Sequence, residues 1–136
     1  MPSLDNMMLR QIIMDHYENP RNHELVEDDS YKKVNMDSET CIDNIDIQAK
    51  IENGVIEDIR FDGEACAICT SSTSIMTELL IGKTIDEARV IIENYMNMIF
   101  EKDYDPEILE EAIAFYNTHK QANRIKCATL GWKGIT

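Results

Sequence analysis

The sequence predicts an α+β fold: a small antiparallel β-sheet of about three strands packed against several helices, with one domain over residues 1–136. Three observations carry that prediction. Apolar residues alternate with polar ones in the stretch from Ile45 to Phe61, which Asn53-Gly54 interrupts. Beyond Asp62-Gly63 the apolar spacing becomes helical and stays so to the end of the chain. One further helical pattern precedes the strands, so the expected order is helix, strands, then helices.

The first helix is read from Leu9, Ile12, Ile13, His16 and Tyr17, and Asn19-Pro20-Arg21-Asn22 closes it. Core filling is the expected role of Met7, Met8 and Met14 here, and of Met96 and Met98 further on. The acidic stretch from Glu24 to Ser30 reads as loop, and residues 31–36 as a short strand. Ile45, Ile47, Ala49 and Ile51 give the next strand an apolar face, and Val55, Ile59 and Phe61 are expected to face inward from the strand after the turn. Period two places Cys41 and Asp43 on the side of Ile45, just before that face begins.

Ile68, Ile75, Met76 and Leu79 define a second helix with Cys66 at or near its first turn, and Gly82 ends it. Its early turns carry Thr70, Ser71, Ser72, Thr73 and Ser74, small residues that allow a neighbour to approach closely. Thr84 and Glu87 form a capping box for a helix bearing Ile85, Ala88, Ile91, Ile92 and Tyr95. Asp105-Pro106 is an N-cap followed by a first-turn proline, leading into Ile108, Leu109, Ala112, Ile113 and Tyr116. A last helix contains Arg124 to Lys133, with Cys127 one turn from both Arg124 and Gly131.

Composition excludes several function classes. With a formal net charge of -13, the chain lacks the clustered Lys and Arg that nucleic acid requires, while a cationic metal or a basic protein patch stays compatible. No stretch approaches the apolar length of a membrane span. A basic, apolar, small-residue leader is missing, so a cytoplasmic protein with reduced thiols is expected. There is no GxSxG elbow, HExxH pair or phosphate-binding glycine loop.

The chemistry-bearing residues are Cys41, Cys66 and Cys127, far apart in sequence, with Asp43 two residues after the first. A thiolate at a helix N-terminus is stabilised by free amides and the helix dipole, which suits Cys66 to ligation or nucleophilic attack. Three thiolates and a carboxylate make a tetrahedral set for zinc or an open-ended set for an iron–sulfur cluster. Core packing competes with ligation for each of these cysteines, and for Cys69, one turn into an apolar helix, it is the better account. His16, His23 and His119 are read as surface or hydrogen-bonded residues, and Arg124 as part of a solvated helix face.

Four segments together carry a family likeness: Ile13 to Asn22, Thr40-Cys41-Ile42-Asp43, Phe61 to Cys66, and Arg124 to Lys133. They resemble the NifU N-terminal-like family, which contains iron–sulfur assembly scaffolds of the IscU and SufU types. The resemblance covers essentially the whole chain and implies a SufE/NifU-like α+β domain. It also implies that Cys41, Asp43, Cys66 and Cys127 cluster and hold zinc or a transient [2Fe-2S] cluster. Lys126 stands where the IscU branch has histidine, and the sixty residues between Cys66 and Cys127 match the longer SufU spacing. That branch implies sulfur acceptance from a PLP-dependent cysteine desulfurase of the SufS type. Cys41 would be the nucleophile, and downstream iron–sulfur assembly or acceptor proteins the recipients. Two positions depart from the family pattern: Ile42 replaces the usual glycine, and Cys69 replaces a small non-cysteine residue.

Overall fold

The computed structural model describes residues 6–37, 42–116, 118 and 122–135; Cys41 and His119 lie outside them. Helix α1 (Asn6–Glu18) leads through an irregular segment to β1 (Lys32–Asp37), β2 (Asn44–Glu52) and β3 (Val55–Glu64). Helices α2 (Ala67–Leu80) and α3 (Ile85–Ile99), a 3-10 helix (Pro106–Phe115) and α4 (Ala122–Lys133) follow. The strands form one antiparallel sheet in the order β1-β2-β3. The α+β arrangement expected from the change of period is therefore the one observed.

Asn53 (φ 54°) and Gly54 (φ 76°) make the β2–β3 turn, both in the left-handed conformation that a tight hairpin needs. Ile45 pairs with Gly63, Ile47 with Phe61 and Ala49 with Ile59, as strict alternation requires. A register shift between Lys50 and Ile51 then breaks the pattern. Ile51 pairs with Ile56 while Lys50 pairs with Asp58, so Glu57 is the extra residue of a β-bulge. The bulge turns Ile56 into the core in place of the expected Val55, which is only half-buried, and Ile51 is left exposed.

Helix α2 is the centre of the helical layer and packs against α1, α4, the 3-10 helix and β3. All six of its small hydroxylated residues, the run Thr70 to Ser74 and Thr77, are buried. The helical stripe of α1 runs through Leu9, Ile12, Ile13 and His16, with Leu9 and His16 fully buried. Met7, Met8 and Met14 are exposed, which corrects the expectation that they fill the core; they lie off that stripe. Met98 is buried and Met96 half-buried, as expected.

The capping box of α3 is complete, with Glu87 N–H donating to Thr84 Oγ1 and Thr84 N–H to Glu87 Oε1. Asp105 caps the next element through Glu107 N–H, with Pro106 in the first turn. That element is 3-10 and is kinked at Glu110, whose φ of 47° and ψ of -123° interrupt the helix. No described helix is long and apolar enough to cross a membrane.

Candidate metal centre

Asp43 reaches its place because β2 and β3 close on each other just beyond it. Gly63 lies at φ 134°, and a Cβ there would collide with the carbonyl oxygen of Asn44, so only glycine lets the two backbones meet. Asp43 is thereby carried inward to the start of α2, where it is fully buried. Its Oδ1 accepts the Cys66 N–H at 2.8 Å, and the Cys66 thiol lies 3.8 Å from Oδ2.

Cys66 is the N-cap of α2, with extended backbone angles, and its Sγ accepts the Cys69 N–H at 3.4 Å. A sulfur here sits among the free amides of the first turn, where negative charge is favoured. The expected placement of Cys66 at a helix start is thus met. Cys69 is fully buried within the core, as its packing account expected.

Cys127 comes from α4, and its position is fixed by contacts one residue away. The carbonyl oxygen of Ala128 accepts Ser72 Oγ–H at 2.6 Å and Tyr95 Oη–H at 2.8 Å. Trp132 Nε1–H donates to Ser72 Oγ at 3.0 Å, and its ring stacks on Tyr95 at 3.8 Å between centroids. Gly131, one turn beyond Cys127, packs so closely on α2 that a Cβ would overlap the Thr73 side chain. Together these contacts hold the thiol of Cys127 against the end of α2 that carries Cys66.

The outcome is that one ligating atom each from Asp43, Cys66 and Cys127 lies within 4.8 Å of the others. The sequence placed these residues 23 and 61 positions from Cys66 in chain terms, and no local pattern announced the Asp43–Cys66 amide contact or the Ser72–Tyr95–Trp132 clamp. Burial pushes the Cys127 thiol well above its ordinary pKa, and the Asp43 carboxyl and the Cys66 thiol add to the rise. A buried carboxylate beside two thiols is poorly placed to carry more negative charge unless a cation is present. The donor set suits a borderline-soft cation. About 3.5 Å separates adjacent sulfur and oxygen ligands in a zinc tetrahedron, close to the 3.8 Å measured between Cys66 and Asp43. These three residues fit a metal ion.

Comparison with known proteins decides the family. The NifU-like N terminal domain family matches residues 8–128. This chain belongs to that family. It is 40% identical over 129 residues to the zinc-dependent sulfurtransferase SufU of Bacillus subtilis, covering 94% of this chain and 86% of that protein. It is 32% identical over 131 residues to the iron–sulfur cluster assembly scaffold protein IscU of Streptococcus pyogenes, covering 96% and 81%. A crystal structure of a candidate SUF-system iron–sulfur scaffold from Fervidobacterium islandicum superposes with a TM-score of 0.84. Its sequence is 31% identical, and the match covers 92% of this chain and 91% of that one. Within the family, the SufU likeness supports placing this chain in that branch.

Of the four site residues expected from the sequence, Asp43, Cys66 and Cys127 converge. Asp43 is completely buried. His16 is buried and hydrogen-bonded to Ser74 Oγ, the second of the two roles expected for it. His23 is partly exposed, packs at a tilt against the Phe61 ring and lies beside Asp62, and Arg124 is exposed on α4.

Proposed function

We propose that this protein accepts persulfide sulfur from a PLP-dependent cysteine desulfurase of the SufS type and relays it toward iron–sulfur cluster assembly. Zinc is the metal of its resting site. The observation that carries the reading is the convergence of Asp43, Cys66 and Cys127 in a chain so similar to a zinc-dependent sulfurtransferase. Cys41, two residues before Asp43, supplies the remaining ligand and the nucleophile in this reading. Zinc, when bound, holds thiolates at neutral pH without redox chemistry of its own.

In the transfer step the Cys41 thiolate attacks the terminal sulfur of the desulfurase persulfide. A new S–S bond forms at Cys41 as the old one breaks, and the desulfurase cysteine departs as thiolate. Nothing is oxidised or reduced overall. Asp43 and the α2 N-terminus keep Cys66 in place, and the Ser72–Tyr95–Trp132 clamp does the same for Cys127, while Cys41 exchanges partners. Ile42, exposed beside this position, adds an apolar surface that the desulfurase has to accommodate.

A second reading, favoured by the IscU relative that matches nearly the whole chain, assembles a [2Fe-2S] cluster on the same residues and passes it on. Anaerobic purification with zinc, iron and acid-labile sulfide analysis separates the two. Sulfur acceptance is tested by incubating the protein with a SufS-type desulfurase and cysteine, then mapping persulfide by mass spectrometry. Label on Cys41, abolished by Cys41→Ser in a folded variant, is the expected result. Label confined to Cys66 or Cys127 overturns the assignment.

A further inference from the structure

We propose that His16, Glu78 and Glu111 form a second metal site, for a divalent first-row cation that accepts nitrogen and oxygen ligands. It is independent of the sulfur-relay reading. Ser74 lies eight residues beyond Cys66 on α2 and Glu78 twelve, about 12 to 18 Å along the helix axis. The two clusters therefore belong to opposite ends of that helix.

Three elements converge here: α1 supplies His16, α2 supplies Glu78 and the kinked 3-10 helix supplies Glu111. One ligating atom from each lies within 4.8 Å of the others. The imidazole is completely buried, whereas both carboxylates reach the surface, so the ring is presented from the protein side to an open face. His16 Nδ1 is 2.8 Å from Ser74 Oγ, which also accepts the Arg21 backbone N–H at 2.8 Å. When Nδ1–H donates to Ser74, Nε2 presents its lone pair to the two carboxylates. A fixed outer hydrogen bond of this kind is what orients a metal-binding imidazole.

The distances leave room for a cation to replace the hydrogen bond that joins the ring to Glu111. Nε2 lies 3.3 Å from Glu111 Oε1 and 3.7 Å from Glu78 Oε1. The Glu111 contact is a hydrogen bond, looser than the roughly 2.7–2.9 Å of a charge-assisted one, and the Glu78 contact is longer still. They lie near the ligand–ligand separations of about 3.0–3.4 Å around a metal with nitrogen and oxygen bonds of about 2.1 Å. Alongside the carboxylates is a cavity of about 240 Å3 bounded by Ile75, Glu78, Leu79, Glu110 and Glu111, with space for water to complete the coordination shell. Arg21 is the competing cation, with Nε 3.6 Å from Glu78 Oε1, but its tighter pairing is to Asp15 at 2.7 Å. One imidazole and two carboxylates suit Mn2+, Fe2+ or Zn2+, and they lack the sulfur of the thiol cluster.

The test uses full-length, zinc-loaded protein titrated with Mn2+, an ion that thiolates bind poorly, with free ion read by electron paramagnetic resonance. One saturable Mn2+ per chain is expected. Glu111→Gln, at a half-exposed position where neutralisation does not threaten folding, is expected to weaken it at least about tenfold. Glu110→Gln, on the same cavity wall but outside the ligand set, should leave affinity unchanged. Substoichiometric Mn2+ should broaden the His16 ring resonances before those of His23. Absence of a saturable site, equal weakening by Glu110→Gln and Glu111→Gln, or unbroadened His16 signals would each overturn the proposal.

Discussion

Gly131→Ala is the substitution that most directly tests how α4 is seated on α2. A Cβ at residue 131 would overlap Thr73 Oγ1 and lie 3.0 Å from Thr73 Cγ2 and 3.1 Å from Thr73 Cβ. Overpacking of this kind costs about 1–3 kcal/mol, while replacing a helical glycine by alanine returns about 1 kcal/mol. Steric cost should win, with a net loss of about 1 kcal/mol. The decisive comparison is the same substitution in a Thr73→Ala background. Thr73 Oγ1 is buried without a hydrogen-bond partner among the described residues, so deleting it forfeits no observed hydrogen bond. With Oγ1 and Cγ2 gone, Gly131→Ala should become neutral or stabilising, giving a coupling of at least about 1 kcal/mol. Urea denaturation of the reduced, metal-free proteins measures all four corners of the cycle. Zinc affinity, read by competition with a chromophoric chelator, should fall in Gly131→Ala and recover in the double variant, because Cys127 lies one turn away. A coupling below about 0.5 kcal/mol would show that the close approach does not position this helix.

Asp43→Ala should lose about 1–3 kcal/mol even without metal, since it strips the Cys66 N–H of its carboxylate partner inside a buried site. Equal unfolding midpoints for metal-free wild type and variant would refute that structural role. Cys69→Ser should leave metal stoichiometry and persulfide transfer unchanged and cost about 1–2 kcal/mol, as a hydroxyl replaces a thiol in the core; loss of zinc would instead make Cys69 part of the site. Alkaline pH should destabilise the metal-free protein through Cys127. Its thiol is raised in the folded state, so its contribution is whole below about pH 8.5, the unfolded value, and drains away as the pH climbs toward the folded one. The slope is at most about 1.4 kcal/mol per pH unit. Cys127→Ala should flatten the fall in thermal midpoint between about pH 8.5 and 10, below the range where the raised tyrosines Tyr31 and Tyr95 begin to contribute.

The sequence by itself determined the features whose causes are local. Asn53-Gly54 specifies its turn because both positions need positive φ. Thr84 and Glu87 cap α3, and Asp105-Pro106 opens the 3-10 helix, through contacts spanning three residues or fewer. The expected order of helix, strands and helices followed from the change of apolar period, and the Cys66 setting followed from the start of α2.

Tertiary structure decided what depends on atoms far apart in the chain. An inserted residue at Glu57 swapped Ile56 for Val55 in the core, because a bulge breaks parity without leaving a mark in an apolar run. The methionines of α1 went to the surface because neighbouring elements cover only the stripe from Leu9 to His16. His16 became a buried group because Ser74 and Glu111, 58 and 95 residues away, meet its two ring nitrogens. Asp43 was placed against Cys66 by the backbone approach at Gly63, and Cys127 by the fit of Gly131 against Thr73. The sequence could name these donors by type; only packing of the sheet edge, α2 and α4 brought their atoms within reach of one ion, since convergence is a property of distances that spacing along the chain does not encode.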